Sequence, residues 1–477
     1  MSDEQVPAGI TTEEWQATPL SVRVVVLHTL QQLVQLQERV AALEERLHQN
    51  SHNSSKPPSA DPPQTPSRLP RVASGRKAGG QPGHVGHSRP LKPRSQVQRV
   101  VELRPTSCAH CGALLLGTDS QPERHQVTEL PRSEPQVTEY RRHTLHCLHC
   151  GETTQAGWPS DMPRGEFGPR LQATSAYLSG RLGLSQRDIV ETFDTLLHVE
   201  LSLGSIPAQA QVVSAALAAA VSEAQTYVQQ QVAANVDETG WFERAQHVWL
   251  WLAATPLVSV FLILHTRGAA GLQTLLGKPF AGIVSSDRWS AYNGLDPSRR
   301  QVCWAHLQRD FQKLAERGGE SQRIGTALLA QGAHVFALWS QLRAGTLSRP
   351  DFQTAVLPVQ AQVQSLLREG AQLSHAQTRR LCQNLLKIEV ALWTFVRTEG
   401  IEPTNNLAER GLRRAVLWRR RSFGTQSEAG SVFVARILTV VTSLRQQHRD
   451  VLDYLTDACL AAGRGDKPPS LLPTLST

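Results

Sequence analysis

Three acid-bearing stretches, far apart in the chain, limit the folds open to it, because each lies in a different local context. Val236-Asp237-Glu238-Thr239-Gly240 falls in a strand-like run, Ile283-Val284-Ser285-Ser286-Asp287 ends an apolar strand, and Asn405-Asn406-Leu407-Ala408-Glu409-Arg410 lies just inside a helix. Around them, residues 232–238, 246–255 and 257–266 read as three successive strands. A helix over 270–276, a strand over 282–286, a helix over 289–295 and a strand over 301–304 follow. Strand alternation sends Asp237 and Glu238 to opposite faces, so only one of them can line a site. Asp287 emerges at the carboxyl end of its strand, where sites in such sheets form. A strand-end Asp by itself more often caps a turn; it becomes a ligand candidate because Asp237 and Glu409 supply partners.

Pro403 and Thr404 open the last of these helices. Glu402 is left in the extended segment before it and Glu409 stands about a turn inside. Read alone, Glu409 is a solvated acid paired with Arg413 at i+4, a contact of a few tenths of a kcal/mol. Arg410, Arg413, Arg414, Arg419, Arg420 and Arg421 form a basic strip along the same helix, suited to phosphates if a phosphodiester site lies beside it. Between residues 307 and 400 the pattern is helical with few strand signals, which reads as an insertion. His306 either approaches a phosphate or water, or simply packs. Trp289 and Tyr292 either contact DNA or pack.

Cys108-Ala109-His110-Cys111 and Cys147-Leu148-His149-Cys150 are each followed by a glycine, Gly112 or Gly151. A Cys-x-x-Cys turn aims both sulfurs at one point, and four thiolates make a closed structural Zn²⁺ site. Alternation around Gln126-Val127-Thr128 and Gln136-Val137-Thr138 fits a zinc-ribbon-like module over 97–158. Seven cysteines, four of them in these pairs, are metal-site usage in a reducing compartment, not a disulfide framework.

Val26, Leu33, Val40 and Leu47 repeat every seven residues, with Thr29, Leu36 and Leu43 between them. Residues 1–49 are therefore expected to hold a helix that pairs as a coiled coil or packs on its own protein. Residues 50–96 contain nine prolines and eight Lys or Arg against the single acid Asp61, the composition of a disordered basic linker or tether. Over 159–231 the pattern is helical: Ser185 can cap one helix, with Asp188 at its third position, and Ser205 the next. Either a helix-turn-helix or a plain helical hairpin results. Residues 448–477 read as a terminal helix and tail. The net charge of +8 and pI near 9.3 favour a polyanionic partner. No secretory signal opens the chain, and the apolar run over 248–264 reads as a buried hairpin, so no membrane partner is expected.

At these residues the chain resembles the DDE transposases of the insertion-sequence-66 family. The likeness extends to Asn53-Ser54-Ser55-Lys56-Pro57-Pro58-Ser59, Gly79-Gly80-Gln81-Pro82-Gly83-His84, the cysteine knuckles, Cys303-Trp304-Ala305-His306-Leu307 and Ser422-Phe423-Gly424-Thr425-Gln426-Ser427-Glu428-Ala429-Gly430, in the family's order. The resemblance implies a multidomain α/β plus α protein. Its ribonuclease-H-like catalytic core over 232–447 would carry a helical insertion and follow the coiled coil, zinc-ribbon-like module and helical domain. It further implies that Asp237, Asp287 and Glu409 hold two Mg²⁺ (or Mn²⁺), with Glu238 in support. One structural Zn²⁺ would be bound by Cys108, Cys111, Cys147 and Cys150. The partners implied are double-stranded DNA (element ends and target), further copies of the chain and accessory proteins of the same element, in the cytoplasm. Two other readings are a transposase-derived DNA-binding protein without catalysis and a ribonuclease-H-like nuclease that does not transfer strands.

Overall fold

The computed structural model describes residues 6–7, 9–47, 49–50, 53, 89–132, 134–159, 162–163 and 165–473. Most of the expected linker over 50–96, with the family blocks at 54–59 and 79–84, lies outside the described residues. Two N-terminal helices, α1 (Thr12–Ala17) and α2 (Leu20–Leu47), precede it. Along α2 the heptad residues Leu33, Leu36, Val40, Leu43 and Leu47 are exposed. The far end of α2 is tied to the body of the protein, where Glu45 Oε1 meets Arg317 Nη2 at 2.6 Å and Lys313 Nζ at 3.1 Å.

The cysteine segment departs from the expected ribbon. Strands β1 (Thr144–His146) and β2 (Thr153–Gln155) flank the second knuckle and pair with each other. No strand forms at 126–128 or 136–138. Those stretches alternate, but apart from half-buried Gln126 they are exposed, and among the described residues no strand pairs with them to complete a ladder.

Helices α3 (Pro169–Tyr177), α4 (Gln186–Leu197) and α5 (Ser205–Gln229) follow. Ser185 and Asp188 form the expected capping box. Ser205 does not cap α5: Gly204 occupies the cap position, and the Ser205 hydroxyl turns back to the Ser202 carbonyl at 2.7 Å. By length and composition α5 could cross a membrane; in this fold Val213, Leu217, Ala220, Ala224 and Val228 bury one of its faces in the core.

The centre of the molecule is a five-stranded mixed sheet in the order β5-β4-β3-β6-β7. Its strands are β3 (Ala233–Glu243), β4 (Gln246–Ala254), β5 (Ser259–Leu264), β6 (Ile283–Ser286) and β7 (Arg300–Val302). β3 runs antiparallel to β4 and parallel to β6, and β7 is parallel to β6. β3 is longer than its sequence pattern because a two-residue turn at Arg244 and Ala245, with φ of 49° and 62°, carries it directly into β4. Helix α6 (Ala269–Leu276) connects β5 to β6. The helix expected over 289–295 shrinks to a 3₁₀ turn at Ser290–Tyr292, because the Asp287 carboxylate accepts the Trp289 N–H at 2.8 Å and fixes a turn there instead.

α7 (Trp304–Ala315), α8 (Gly319–Arg343), α9 (Arg349–Gly370), α10 (Ala376–Lys387), α11 (Glu389–Leu392) and α12 (Thr394–Arg397) make the inserted tract. It has its own apolar core, including Phe311, Leu328, Phe352, Val356 and Phe395. The tract begins at Trp304, earlier than expected, so the segment read as a final strand turns helical after Val302. α13 (Asn406–Ser422), α14 (Glu428–Gln446) and α15 (Val451–Arg464) complete the chain.

The two faces of the sheet have separate partners. Val236, Trp251, Ala253 and Val260 face the core shared with α5 and α15, whereas Trp241, Leu250, Leu252 and Phe261 face Ala408, Leu412 and Ala415 of α13. The edge strand β5 is closed by α14: Ser259 N–H donates to Ser443 Oγ and Phe261 N–H to Thr439 Oγ1, both at 3.0 Å. An edge satisfied in this way no longer offers a template for another strand.

α13 lies against β4 at Gly411, where an added Cβ would stand 2.5 Å from Leu252 Cδ2. Gly411→Val is therefore expected to push α13 off the sheet and destabilise the fold by about 1–3 kcal/mol, read as a lower midpoint in denaturant. Combining it with Leu252→Ala should recover part of the loss.

Candidate active site

The register of β3 decides which acid faces α13. Asp237 pairs with Leu252 and Glu238 with Trp251, so Asp237 shares its face with the residues that meet α13 and Glu238 points into the opposite core. There Glu238 is held on both oxygens: Oε1 accepts from Arg267 Nε at 2.9 Å and Oε2 from the Tyr292 hydroxyl at 2.6 Å. Arg267 is itself sandwiched between Trp249 and Trp289, 4.5 and 3.7 Å from the ring centres. Trp289 and Tyr292 are thus packing and hydrogen-bonding groups of this cluster. Burial, then the Asp287 charge, raises the Glu238 carboxyl above its ordinary range, against the opposing pull of Tyr292 and Arg267.

Asp287 stands just past β6, and a buried guanidinium fixes its backbone. Arg300, 1% exposed, donates from Nη2 to the Asp287 carbonyl at 2.8 Å and from Nη1 to the Tyr292 carbonyl at 3.1 Å. Burial pulls the Arg300 pKa down to about 10, so it remains a cation at neutral pH. Next to Asp287, Arg288 pairs with Asp310 of α7 at 2.7 Å, joining the strand-end loop to the helix that bears His306.

Glu409 comes from the first turn of α13, and Asn405 fixes where that turn begins. Asn405 Nδ2 donates to the Val236 carbonyl at 2.7 Å, its Oδ1 accepts from Asn235 Nδ2 at 2.9 Å, and its N–H donates to Cys303 Sγ at 3.2 Å. Glu402 is exposed before the helix, whereas Glu409 is partly buried and faces His306. Glu409 Oε1 and His306 Nδ1 lie 3.4 Å apart. Both atoms are buried, and among the described residues neither has a hydrogen-bond partner.

Asp237 feels the charges of the other two acids, but among the described residues Asp237, Asp287 and Glu409 are not a group whose ligand atoms all lie within 4.8 Å of one another. Asp237 is raised well above the usual carboxylate range, by burial first and then by the charges of Glu238, Asp287 and Glu409, while the Glu238 N–H works the other way. Carboxylates so placed, with an orphaned buried oxygen on Glu409, fit a hard divalent cation bound through oxygen. The ligand atoms that do lie within 4.8 Å of one another are those of Cys303, His306 and Glu409. That softer set is weakened because burial pushes the Cys303 thiol up to about 11; its sulfur instead accepts the Asn405 N–H. Neither Cys303 nor Asn405 was singled out as a site residue by sequence reasoning, although both lie in family blocks.

The basic strip is not uniform. Arg410, Arg413, Arg420 and Arg421 are exposed and Arg414 is half-buried. Arg419 turns inward, donating to Thr239 Oγ1 at 3.2 Å and to the Gly240 carbonyl. Burial lowers its pKa. Expected as a phosphate contact, Arg419 is instead a brace between α13 and β3.

At each knuckle the first cysteine closes the same turn, with Cys108 accepting at its carbonyl from Gly112 N–H and Cys147 from Gly151 N–H, both at 2.9 Å. Gly112 and Gly151 have φ of 75° and 78°, a conformation glycine adopts without strain. Backbone N–H groups of Cys111 and His110 lower the Cys108 thiol pKa, and those of Cys150 and His149 lower that of Cys147. The expected convergence of all four sulfurs is not seen. Within 4.8 Å, groups of three or more candidate ligand atoms among the described residues comprise Cys303, His306 and Glu409 and none of the knuckle cysteines. Each pair is formed, and the exposed segment between them supplies no packing to draw them together.

Three regions match known families. Residues 164–432 match the family described as "Transposase IS66 family", residues 105–151 the "zinc-finger binding domain of transposase IS66", and residues 10–90 a family of unknown function. Two proteins of Sinorhizobium fredii are similar. "Uncharacterized protein y4hP" is 25% identical over 76% of this chain and 71% of its own length. "Uncharacterized protein y4qI" is 25% identical over 46% and 44% respectively.

The raised Asp237 pKa has a definite sign. A carboxyl that binds its proton more tightly when folded contributes stability below the unfolded pKa of about 4, and that stability is lost as pH rises through the folded value. In metal-free protein the midpoint of unfolding should therefore fall as pH rises above the usual carboxylate range. Asp237→Asn should flatten that dependence and raise neutral-pH stability by on the order of 1 kcal/mol. Thermal unfolding across pH 4–8 with and without Mg²⁺ checks both, since added Mg²⁺ should stabilise wild type and not the variant. The match over more than half of the chain, together with the zinc-finger match ahead of it, identifies this protein as a member of the IS66 transposase family.

Proposed function

We propose that the protein is a DNA transposase that cuts the ends of an insertion sequence and joins them to target DNA. The reading rests above all on the charges of Asp287 and Glu409 bearing on buried Asp237, three acids from the end of β6, the first turn of α13 and β3. It is supported by the strand order, with two antiparallel hairpin strands on one side of β3 and two parallel strands on the other. Such an order is the one expected for a ribonuclease-H-like core. Asp237 and Asp287 would hold two Mg²⁺ (or Mn²⁺) from the sheet, and Glu409 would hold them from the helix. Such a pair supplies charge stabilisation to the entering and leaving oxygens of an in-line displacement.

In the first step water attacks an end phosphodiester, the P–O3′ bond breaks, and the departing 3′-oxygen gains a proton. In the second, that 3′-hydroxyl attacks a target phosphodiester and the displaced target 3′-oxygen leaves protonated. Neither step needs a covalent bond to the protein. Asn405, Cys303 and Arg300 hold the acids in place. Arg410, Arg413, Arg420 and Arg421 would meet phosphates from the exposed side of α13. Cys108, Cys111, Cys147 and Cys150 would close around one structural Zn²⁺, the two knuckles moving together as the ion binds. Further copies would assemble through the exposed heptad face of α2, and the protein would act in the bacterial cytoplasm, with or without accessory proteins of the element.

Asp237→Asn, Asp287→Asn and Glu409→Gln are each expected to abolish Mg²⁺-dependent cleavage of element-end DNA while leaving DNA binding nearly unchanged. A gel-based cleavage assay beside a binding titration checks this, and near wild-type cutting by any of the three would defeat the assignment. For zinc, metal analysis should find one ion per chain in wild type and none in the Cys108→Ser, Cys147→Ser double variant.

A further inference from the structure

The block Ser422-Phe423-Gly424-Thr425-Gln426-Ser427 links α13 to α14 at the opposite end of α13 from Glu409. Phe423 caps α13 with φ of 56° and is 79% exposed. A bulky side chain in the left-handed region is strained, and its ring gains no burial in return. The loop is nevertheless rigidly held. Thr425 N–H donates to the Phe242 carbonyl at 2.8 Å, Arg244 N–H to the Thr425 carbonyl at 2.9 Å, and Trp241 Nε1 to Thr425 Oγ1 at 3.2 Å. Gly424 is needed for this approach, since a Cβ there would stand 2.1 Å from the Phe242 carbonyl oxygen.

Ser422 and Gly424, the chain neighbours of Phe423, line a cavity of about 540 Å³, walled also by α13 and α14 and by the α3–α5 helices. That volume is within the roughly 300–1,000 Å³ typical of small-ligand sites. Trp418 and Phe433 give it an aromatic wall, and Ser179, Gln186, Gln211 and Gln426 add hydroxyl and amide groups. Among the described residues, Arg187 is the one charged lining residue and no acid lines it. Two residues past Trp418 of the lining, Arg420 is exposed, and the next residue, Arg421, reaches with Nη1 to the carbonyl of Gly183, the neighbour of lining residue Leu184, at 3.4 Å. The chemistry selected is a neutral, planar, hydrogen-bonding ring attached to an anionic chain.

We propose that this cavity receives a nucleobase that has left the DNA stack, with Phe423 stacking at its mouth and Arg420 and Arg421 on the flanking phosphates. The proposal rests on DNA being the partner and adds a binding site for unpaired bases away from the three acids. Base extrusion costs least where pairing is already lost, so such a site should favour unpaired DNA.

The test is binding of the full chain, with Mg²⁺ withheld, to a duplex bearing one unpaired 2-aminopurine and to the same duplex fully paired. Wild type should bind the unpaired duplex about five- to a hundredfold more tightly, the range one stacked base provides, with a change in 2-aminopurine fluorescence. Phe423→Ala and the cavity-filling Ala210→Trp should both lose the preference and the fluorescence change while binding the paired duplex as wild type does. Phe423→Trp should keep them. Equal wild-type affinity for the two duplexes, or a preference that survives both Phe423→Ala and Ala210→Trp, overturns the proposal. Failure to bind either duplex overturns the DNA reading itself.

Discussion

The side chain of Asn405 joins the parts of the molecule on which the candidate site depends. With its Nδ2 on the Val236 carbonyl and its Oδ1 on Asn235, it fastens the start of α13 to β3 one residue from Asp237. Its own N–H on Cys303 adds the start of α7. Segments that are more than a hundred residues apart in sequence thus meet at one amide. The bonds to Val236 and Cys303 are buried, and breaking one would leave a polar group unsatisfied, which costs more than a typical hydrogen bond contributes. Trp304 N–H on the Pro403 carbonyl at 2.8 Å reinforces the junction.

Around that junction the molecule separates support from exposure. Glu238, Arg267, Tyr292 and Arg300 are held to one another or to backbone carbonyls, and they set the positions of β3 and of the loop after β6. Asp237 and Glu409 Oε1 stand in surroundings unfavourable to a bare carboxylate. A fold that buries Asp237 within the field of Glu238, Asp287 and Glu409 must be stable enough elsewhere to carry the repulsion. The closed β5 edge, the α13 contact at Gly411 and the independent core of the insertion supply such support.

The inserted helices also change how the N-terminal region relates to the rest. Glu45 of α2 meets Lys313 and Arg317 at the end of α7, the same helix that carries His306 near its start. Glu45 falls two positions after Leu43 in the heptad, away from the seam of Leu33, Leu36, Val40 and Leu47, so the tie to the body leaves that apolar face exposed.

Much of this was legible in the chain. Alternation placed Asp237 and Glu238 on opposite faces, the apolar run before Asp287 marked its strand, Pro403 marked the start of α13, and the glycines after each knuckle marked the tight turns. These are local properties, fixed by backbone sterics and side-chain period. What tertiary structure decided is non-local. The length of β3 depended on a two-residue turn without the usual glycine or asparagine, and the 3₁₀ turn after Asp287 depended on a carboxylate capping its own loop. Arg419 turned inward because Thr239 and a β3 carbonyl lay within reach, which its place in a run of arginines gives no means of foretelling. The roles of Asn405, Cys303 and Arg300 exist only once β3, β6, α7 and α13 are packed together, because a hydrogen bond between distant segments leaves no period in the sequence.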